Sequence, residues 1–387
     1  MVKLVDGSSG GGSITTYKTD NGSFLPEIEL LPFMVRQLNL GISNCAAVVG
    51  PAVGLGAARA AVCHFSVMVG DIGALFNAGP KIVEGTTFEE GFKVHLGGPS
   101  IHCGNGVVDN YAPNEKGCYD QVAQFLTYVP NHGGILPPVT SSSNAIDRDC
   151  SSLRSSIPRR RQRMYQVRTI IRSIVDKYSF FEIGPHWGRS VVVGLARMNG
   201  RPVGIVVNNC MVNAGAMDAA GCQKLSKHLR LCDVMGLPLV QLIDIPGFAI
   251  GTAAEESRVM KWAMDLCKTY FTNTISIFSV IMRRCYGVGG VILIDNRESN
   301  CRVAWPSLNS GSVPLDGGIE DLRKVRDKAQ ELYKHLEAEY TNLQHPLRVS
   351  SKFGVEEVID QAHTRIIDTL KERLQERSAG KIKPSFR

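Results

Sequence analysis

The stretch from Leu239 to Gly290 constrains the fold most. It opens on an apolar run that ends at Ile245, breaks at Pro246-Gly247-Phe248 and Gly251-Thr252, and continues with helical character from Ala253 to Tyr270. A second apolar run follows, Ile275 to Met282, and the stretch ends in Tyr286-Gly287-Val288-Gly289-Gly290. Apolar runs bounded by glycine and proline read as strands buried on both faces, as in a parallel sheet covered by helices. Two such strands, each turning through glycine into a helix, bring backbone N–H groups to one sheet edge. Such an edge can hold negative charge on oxygen.

The first half uses the same device. Ile42 to Gly50 is an apolar run feeding Pro51-Ala52-Val53-Gly54-Leu55-Gly56, and a helix of small residues, Ala57 to Cys63, comes next. Ahead of it, the glycine-rich segment around Gly10, Gly11 and Gly12 has two readings, a binding loop or a flexible terminus. Helical patterns are expected over Ile28–Asn39, Asn114–Val129, Val167–Tyr178 and Asp218–Met235. The two apolar strands around Asn199-Gly200 form a hairpin by their turn pair. Strands alternating with helices make the chain an α/β protein.

The segment from His132 to Asp149 shifts to Pro, Gly, Ser and Asp, which marks a boundary. The expected organisation is a first domain over residues 1–140, a basic linker over 141–166, and a second domain over 167–387. Among 387 residues, 44% are apolar, ample for two cores. The basic run from Arg154 to Arg163 is the most obvious concentration of positive charge in a chain of net charge +7. It has no interleaved aromatics, so it reads as a solvated linker and not as a nucleic-acid surface.

No apolar run reaches membrane length and no targeting signal is visible, so the expected location is the cytoplasm without a membrane partner. The 11 cysteines form no Cys-x-x-Cys pair and many sit in apolar segments, which fits reduced, buried thiols. His64, His95 and His102 lie near carboxylates but lack any metal-ligand spacing, and no metal is expected. His228 reads as a solvated or capping residue on its helix. Trp305 reads as core or subunit contact.

The segments Gln241 to Tyr270, Ile275 to Gly290 and Cys301 to Ser307 resemble the carboxyltransferase β subunits of biotin-dependent acyl-CoA carboxylases. The resemblance rests on Asp244, Pro246, Gly247, Phe248, Gly251, Thr252 and Glu255 in order, then Arg283, Tyr286, Gly287 and Ala304-Trp305-Pro306. It extends upstream through Phe180-Phe181-Glu182, Gly50-Pro51 with Gly54, and Gly97-Gly98-Pro99, and downstream through His345-Pro346 and Gly354. The first half is similar to the propionyl- and methylcrotonyl-CoA branches.

The resemblance implies two crotonase-like domains of repeated ββα units, the first one shortened at its start. It implies that a carboxyl group moves between carboxybiotin and an acyl-CoA through a thioester enolate. Carried over by position, the backbone pair Gly54 and Leu55 would hold the enolate oxygen, and Val288 and Gly289 the biotin ureido oxygen. Gly10, Gly11, Gly12, Gly247, Phe248, Gly251, Tyr286, Gly287, Gly290 and Val291 would line the substrates. Asp244, Glu255 and Arg283 would hold the turn in shape.

No biotin-attachment motif is present, because Met260-Lys261-Trp262 lies in a helical segment, so biotin would arrive on a biotin carboxylase or carrier partner. A homo-oligomer is implied. The chain departs from the family at Val288-Gly289-Gly290-Val291, where a polar residue usually follows the glycines. The implied acyl pocket is greasier, or takes a different acyl chain. Two other readings remain open: a biotin-independent enzyme of enolate chemistry, decarboxylating or making or breaking carbon–carbon bonds, and a catalytically silent subunit.

Overall fold

The computed structural model describes residues 1–9, 18, 30–88, 93–142, 149–160, 163–294, 301–314 and 330–362. They fall into two compact units. One holds the described residues of 1–138 together with Ile183–Trp187; the other holds those of 139–182 and from Gly188 onward.

The first unit is built on a parallel sheet of β1 (Val2–Ser9), β2 (Cys45–Gly54), β3 (Phe65–Val69) and β5 (Asn110–Ala112) in that order, with β4 (Ala74–Phe76) also on β2. Helices α1 (Leu30–Asn39), α2 (Leu55–Ala61), α3 (Pro80–Thr87), α4 (Lys93–Gly97), α5 (Pro99–Asn105) and α6 (Glu115–Tyr128) accompany it. Small residues dominate its core, with Ala46, Ala52, Ala57 and Ala60 packed among Val5, Val48, Met68 and Leu75. Small side chains let α2 come close to the sheet. Asn114 caps α6 by accepting the Gly117 N–H at 2.9 Å, and Phe125 of α6 stacks on Phe65 with ring centroids 4.8 Å apart.

Strand β2 runs further than its sequence suggests. The turn expected at Pro51–Gly56 starts only at Gly54, because Val5 faces Val48 while Gly7 faces Ala52. Three residues, Val49 to Pro51, therefore stand opposite the single Asp6. A bulge of this kind tolerates a proline that donates no ladder hydrogen bond.

The second unit carries a larger sheet in the order β13-β11-β10-β9-β8-β7-β6, with β12 also on β10. Its strands are β6 (Phe181–Ile183), β7 (Val191–Met198), β8 (Arg201–Asn208), β9 (Leu239–Ile245), β10 (Ile277–Tyr286), β11 (Cys301–Ala304), β12 (Asn309–Gly311) and β13 (Glu357–Val358). Strands β7 and β8 form the expected antiparallel hairpin, turned by Asn199 and Gly200 at φ 50° and 75°. Strands β8, β9, β10 and β11 run parallel, with every residue of β9 buried.

The helices are α7 (Val167–Ile174), α8 (Ala219–Met235), α9 (Thr252–Glu256), α10 (Val259–Thr272), α11 (Gly287–Leu293), α12 (Gln330–Leu343) and α13 (Pro346–Ser350). Asp218 caps α8 by accepting the Gly221 N–H at 2.8 Å. The single helix expected from Ala253 to Tyr270 is two helices, interrupted where Arg258 takes φ 61°. That left-handed residue breaks the hydrogen-bond ladder between α9 and α10.

The described residues of 141–166, expected as a linker, cluster with the second unit. Cys150, Leu153, Ile157 and Tyr165 are buried in one core with Ile171, Val203, Ile205 and Trp305. Apolar residues spaced between the arginines drive this burial, while Arg159 and Arg160 stay exposed.

His228 is also buried, at 2% exposure, and not solvated as its position on a helix suggested. Burial lowers its pKa to about 3 and that of His64, in the first unit, to about 4. Both rings are therefore neutral near pH 7. Among the described residues no group of His, Cys, Asp and Glu could hold a metal ion, and no helix is long and apolar enough to cross a membrane.

Candidate functional site

In the second unit the parallel register of β9 and β10 shifts between Ile281 and Cys285, so Met282, Arg283 and Arg284 bulge opposite the single Asp244. The bulge turns both arginines onto that carboxylate. Arg283 donates to Asp244 Oδ2 from Nε at 3.1 Å and Nη2 at 2.8 Å, and Arg284 Nε donates to Oδ1 at 2.7 Å. The Tyr165 hydroxyl donates to Oδ2 at 2.8 Å, and its ring centroid lies 4.8 Å from the Arg283 guanidinium. Asp244 is fully enclosed. Burial alone would raise its pKa, but the hydrogen bonds and charges of Arg284 and Arg283 hold it below the ordinary carboxylate value.

This network pins the ends of β9 and β10, where the glycine turns begin. After β9, the Gly247 carbonyl accepts the Met217 N–H at 3.1 Å and the Ala249 N–H donates to the Met217 carbonyl at 2.9 Å. Phe248 is half-buried and Gly251, at φ 99°, opens α9. After β10, Tyr286 is buried with its hydroxyl donating to Gln344 Oε1 at 2.7 Å, and Gly287, at φ 58°, opens α11.

Val288 and Gly289 occupy the first turn of α11, so their N–H groups have no acceptor within the helix. Val288 and Val291 are exposed, at 62% and 68%, whereas Gly289 and Gly290 are buried. A Cβ on Gly289 would stand 3.0 Å from Ile245 Cδ1 and 3.3 Å from the Gly247 backbone; one on Gly290 would stand 2.9 Å from Cys285 Sγ. The two turns after β9 and β10 thus touch through glycine, and no larger residue fits without a shift.

In the first unit, Gly54 closes β2 at φ 61° and ψ −123°, a combination open to glycine alone. Nothing lies within 4 Å of its missing Cβ. Leu55 begins α2, so its N–H also has no acceptor within the helix. Gly10, Gly11 and Gly12 lie outside the described residues.

Asp244 and Arg283 stand out in the sequence, whereas Arg284, Tyr165 and Asn208, whose Oδ1 accepts the Asp244 N–H at 3.3 Å, do not. The adjacency of two arginines at the end of an apolar strand is the available signal for Arg284. Nothing in the local sequence ties Tyr165 to a carboxylate 79 positions away. Glu255 does not join the network; it is exposed on α9.

Comparison with known proteins adds to this geometry. The carboxyl transferase domain model matches residues 33–386. The chain is 30% identical over 327 residues to the propionyl-CoA carboxylase beta chain of Sus scrofa, covering 84% of this chain and 60% of that protein. It is 24% identical over 357 residues to the methylmalonyl-CoA decarboxylase subunit alpha of Propionigenium modestum, covering 88% and 69%. Among solved structures, transcarboxylase 12S superposes with a TM-score of 0.81 at 24% identity, covering 91% of this chain and 68% of that one. A single-chain, multi-domain long-chain acyl-CoA carboxylase superposes with a TM-score of 0.78 at 26% identity, covering 95% and 35%. The α/β crotonase-type fold expected from the sequence is the fold of these neighbours.

Proposed function

Because the chain belongs to the carboxyl transferase domain family, we propose that it moves a carboxyl group between carboxybiotin, borne by a partner protein, and an acyl-CoA. The chain spans 60% of the length of the pig propionyl-CoA carboxylase beta chain. The observation that carries the reading is the pair of strand, glycine, helix turns, one ending β2 and one ending β10. Each leaves first-turn amides without a helical acceptor.

In this reading the Gly54 and Leu55 amides stabilise the enolate oxygen of the thioester. The Val288 and Gly289 amides stabilise the ureido oxygen of biotin, with Gly247, Phe248, Gly251, Tyr286, Gly287, Gly290 and Val291 lining the same end of the sheet. Bound biotin supplies the carboxyl group and a base for the α-proton. The chain's own part is to fix donors before charge develops, which is why loss of one such donor costs about two to three orders of magnitude in rate. The exposed position of Val288 suits access by a group carried on another protein, and the buried Gly289 and Gly290 pack the start of α11 closely against Gly247 and Cys285. Arg283 and Arg284 are committed to Asp244, so they serve the shape of the turn and not the proton transfer.

The test is to incubate the purified chain with malonyl-CoA and methylmalonyl-CoA, with and without free biotin, and to follow products by mass. Carboxyl transfer only when biotin is supplied supports the proposal. Decarboxylation without biotin replaces it with biotin-independent enolate chemistry, and the absence of both turnover and CoA binding leaves a silent subunit.

A further inference from the structure

We propose that Gln241 and Tyr270 are positioning residues that fix the far end of α11 and so set the direction of its first-turn amides. The inference rests on the reading that the Val288 and Gly289 amides act on a developing oxyanion. Gln241 sits in the middle of β9, with Val206 of β8 and Ser279 of β10 as its neighbours in register. Its side chain is fully enclosed, in a strand otherwise filled by Leu, Val and Ile up to Asp244. An amide in such a place is costly unless both of its ends are satisfied.

Both ends are satisfied, and each by a different helix. The Tyr270 hydroxyl, on α10, donates to Gln241 Oε1. Gln241 Nε2 donates to the carbonyl of Leu293 at 2.8 Å, and Leu293 is the last residue of α11. That carbonyl is one of the four that a helix leaves without an internal donor at its C-terminus. Tyr270 is itself fully buried. The polar link therefore ties α10, the central strand and the end of α11 together inside an apolar core.

A seven-residue helix is about 10 Å long. Two turns are too short to hold their own direction against packing forces. The start of α11 is wedged by Gly289 against the Gly247 backbone and by Gly290 against Cys285. Its end is held by Gln241. Releasing the end lets the helix tilt about the glycine wedge, which moves the Val288 and Gly289 amides while leaving the turn at Gly54 untouched.

The experiment uses the full chain with Gln241→Met, which keeps volume and removes both hydrogen bonds, and Tyr270→Phe, which removes one. Two quantities are read: backbone hydrogen exchange by mass spectrometry over residues 287–293 and over the β7–β8 hairpin, and steady-state transfer from methylmalonyl-CoA with free biotin. Gln241→Met is expected to speed exchange in 287–293 by roughly tenfold, about the effect of one buried hydrogen bond, with the hairpin unchanged. kcat is expected to fall by about tenfold, less than the loss of a whole donor, at unchanged KM for the thioester. Tyr270→Phe should give smaller changes in the same direction.

Unchanged exchange over 287–293 in Gln241→Met overturns the proposal, as does faster exchange spread evenly over the hairpin and α11. A rise in KM with constant kcat also overturns it. Should the unaltered chain turn over neither thioester, the oxyanion reading fails on that result, and the exchange measurement alone decides whether Gln241 holds α11.

Discussion

The two glycine turns look alike in sequence and are held in different ways. In each unit an aspartate late in a strand, Asp6 of β1 and Asp244 of β9, faces a bulge of three residues on the parallel neighbour. Three positions after each bulge comes the glycine that leads into a helix, Gly54 after Pro51 and Gly287 after Arg284. The bulge opposite Asp244 carries two arginines that neutralise it in a closed interior. The bulge opposite Asp6 carries Gly50 and Pro51, and Asp6 is exposed. A Cβ on Gly50 would fall 2.0 Å from Asp6 Oδ1, so the carboxylate lies directly on the glycine. One architecture is therefore held by buried charge in one unit, whereas in the other a solvated aspartate only lies against a glycine.

The largest effect expected from this difference is at the aspartates. Asp244→Ala removes the carboxylate that neutralises the buried Arg283 and the half-buried Arg284, and should destabilise the second unit by about 3–5 kcal/mol. Asp6→Ala should leave the denaturation midpoint of the first unit where it was. Urea unfolding followed by peptide-resolved hydrogen exchange reads each unit separately, and equal losses in both would erase the distinction.

Next come the glycines. Gly54→Ala forces a side chain into a backbone region reserved for glycine, a cost of about 1–3 kcal/mol. Gly289→Ala instead crowds Ile245 and the Gly247 backbone, an overpacking cost of about 1–3 kcal/mol. The causes separate in double variants: Ile245→Val should recover part of the loss in Gly289→Ala and none of that in Gly54→Ala. Recovery in neither would mean that the Ile245 contact is not what excludes a side chain at Gly289.

The smallest effect is the pH dependence. For His64 and His228 the folded pKa lies below the ordinary value of 6.5, so the unfolded chain binds more protons as pH falls. Stability is complete above about pH 6.5 and declines below it, by about 1.4 kcal/mol per ring at pH 5.5. The loss from His64 ends near pH 4, whereas that from His228 continues to about pH 3. Replacing either His with Gln should flatten the decline in its own unit, as measured by unfolding midpoints between neutral and mildly acidic pH.

Much of this is legible in the chain. Apolar runs ending in glycine mark β9, β10 and the helices after them, because a strand buried on both faces needs no alternation to be recognised. Asn114 and Asp218 announce their helices because a cap acts within a few residues. The bulges are not legible, since a register depends on the neighbouring strand and not on the strand itself. For the same reason the apolar run of β2 reads as ending at Gly50, although the strand continues to Gly54. The basic segment reads as solvated because its arginines dominate the local composition, whereas Leu153 and Ile157 between them carry the packing.

By itself the sequence determined the α/β class, the alternation of strands with helices, and the glycines at which strands turn, since each follows from local stereochemistry and apolar spacing. Only the tertiary structure decided what surrounds those turns. Tyr165, Asn208, Asp244, Arg283 and Arg284 come from four separate stretches of chain, and Gln241 reaches Leu293 across 52 positions. Whether a polar side chain is satisfied in a low-dielectric interior depends on partners brought together by packing, and no local pattern in the chain encodes them.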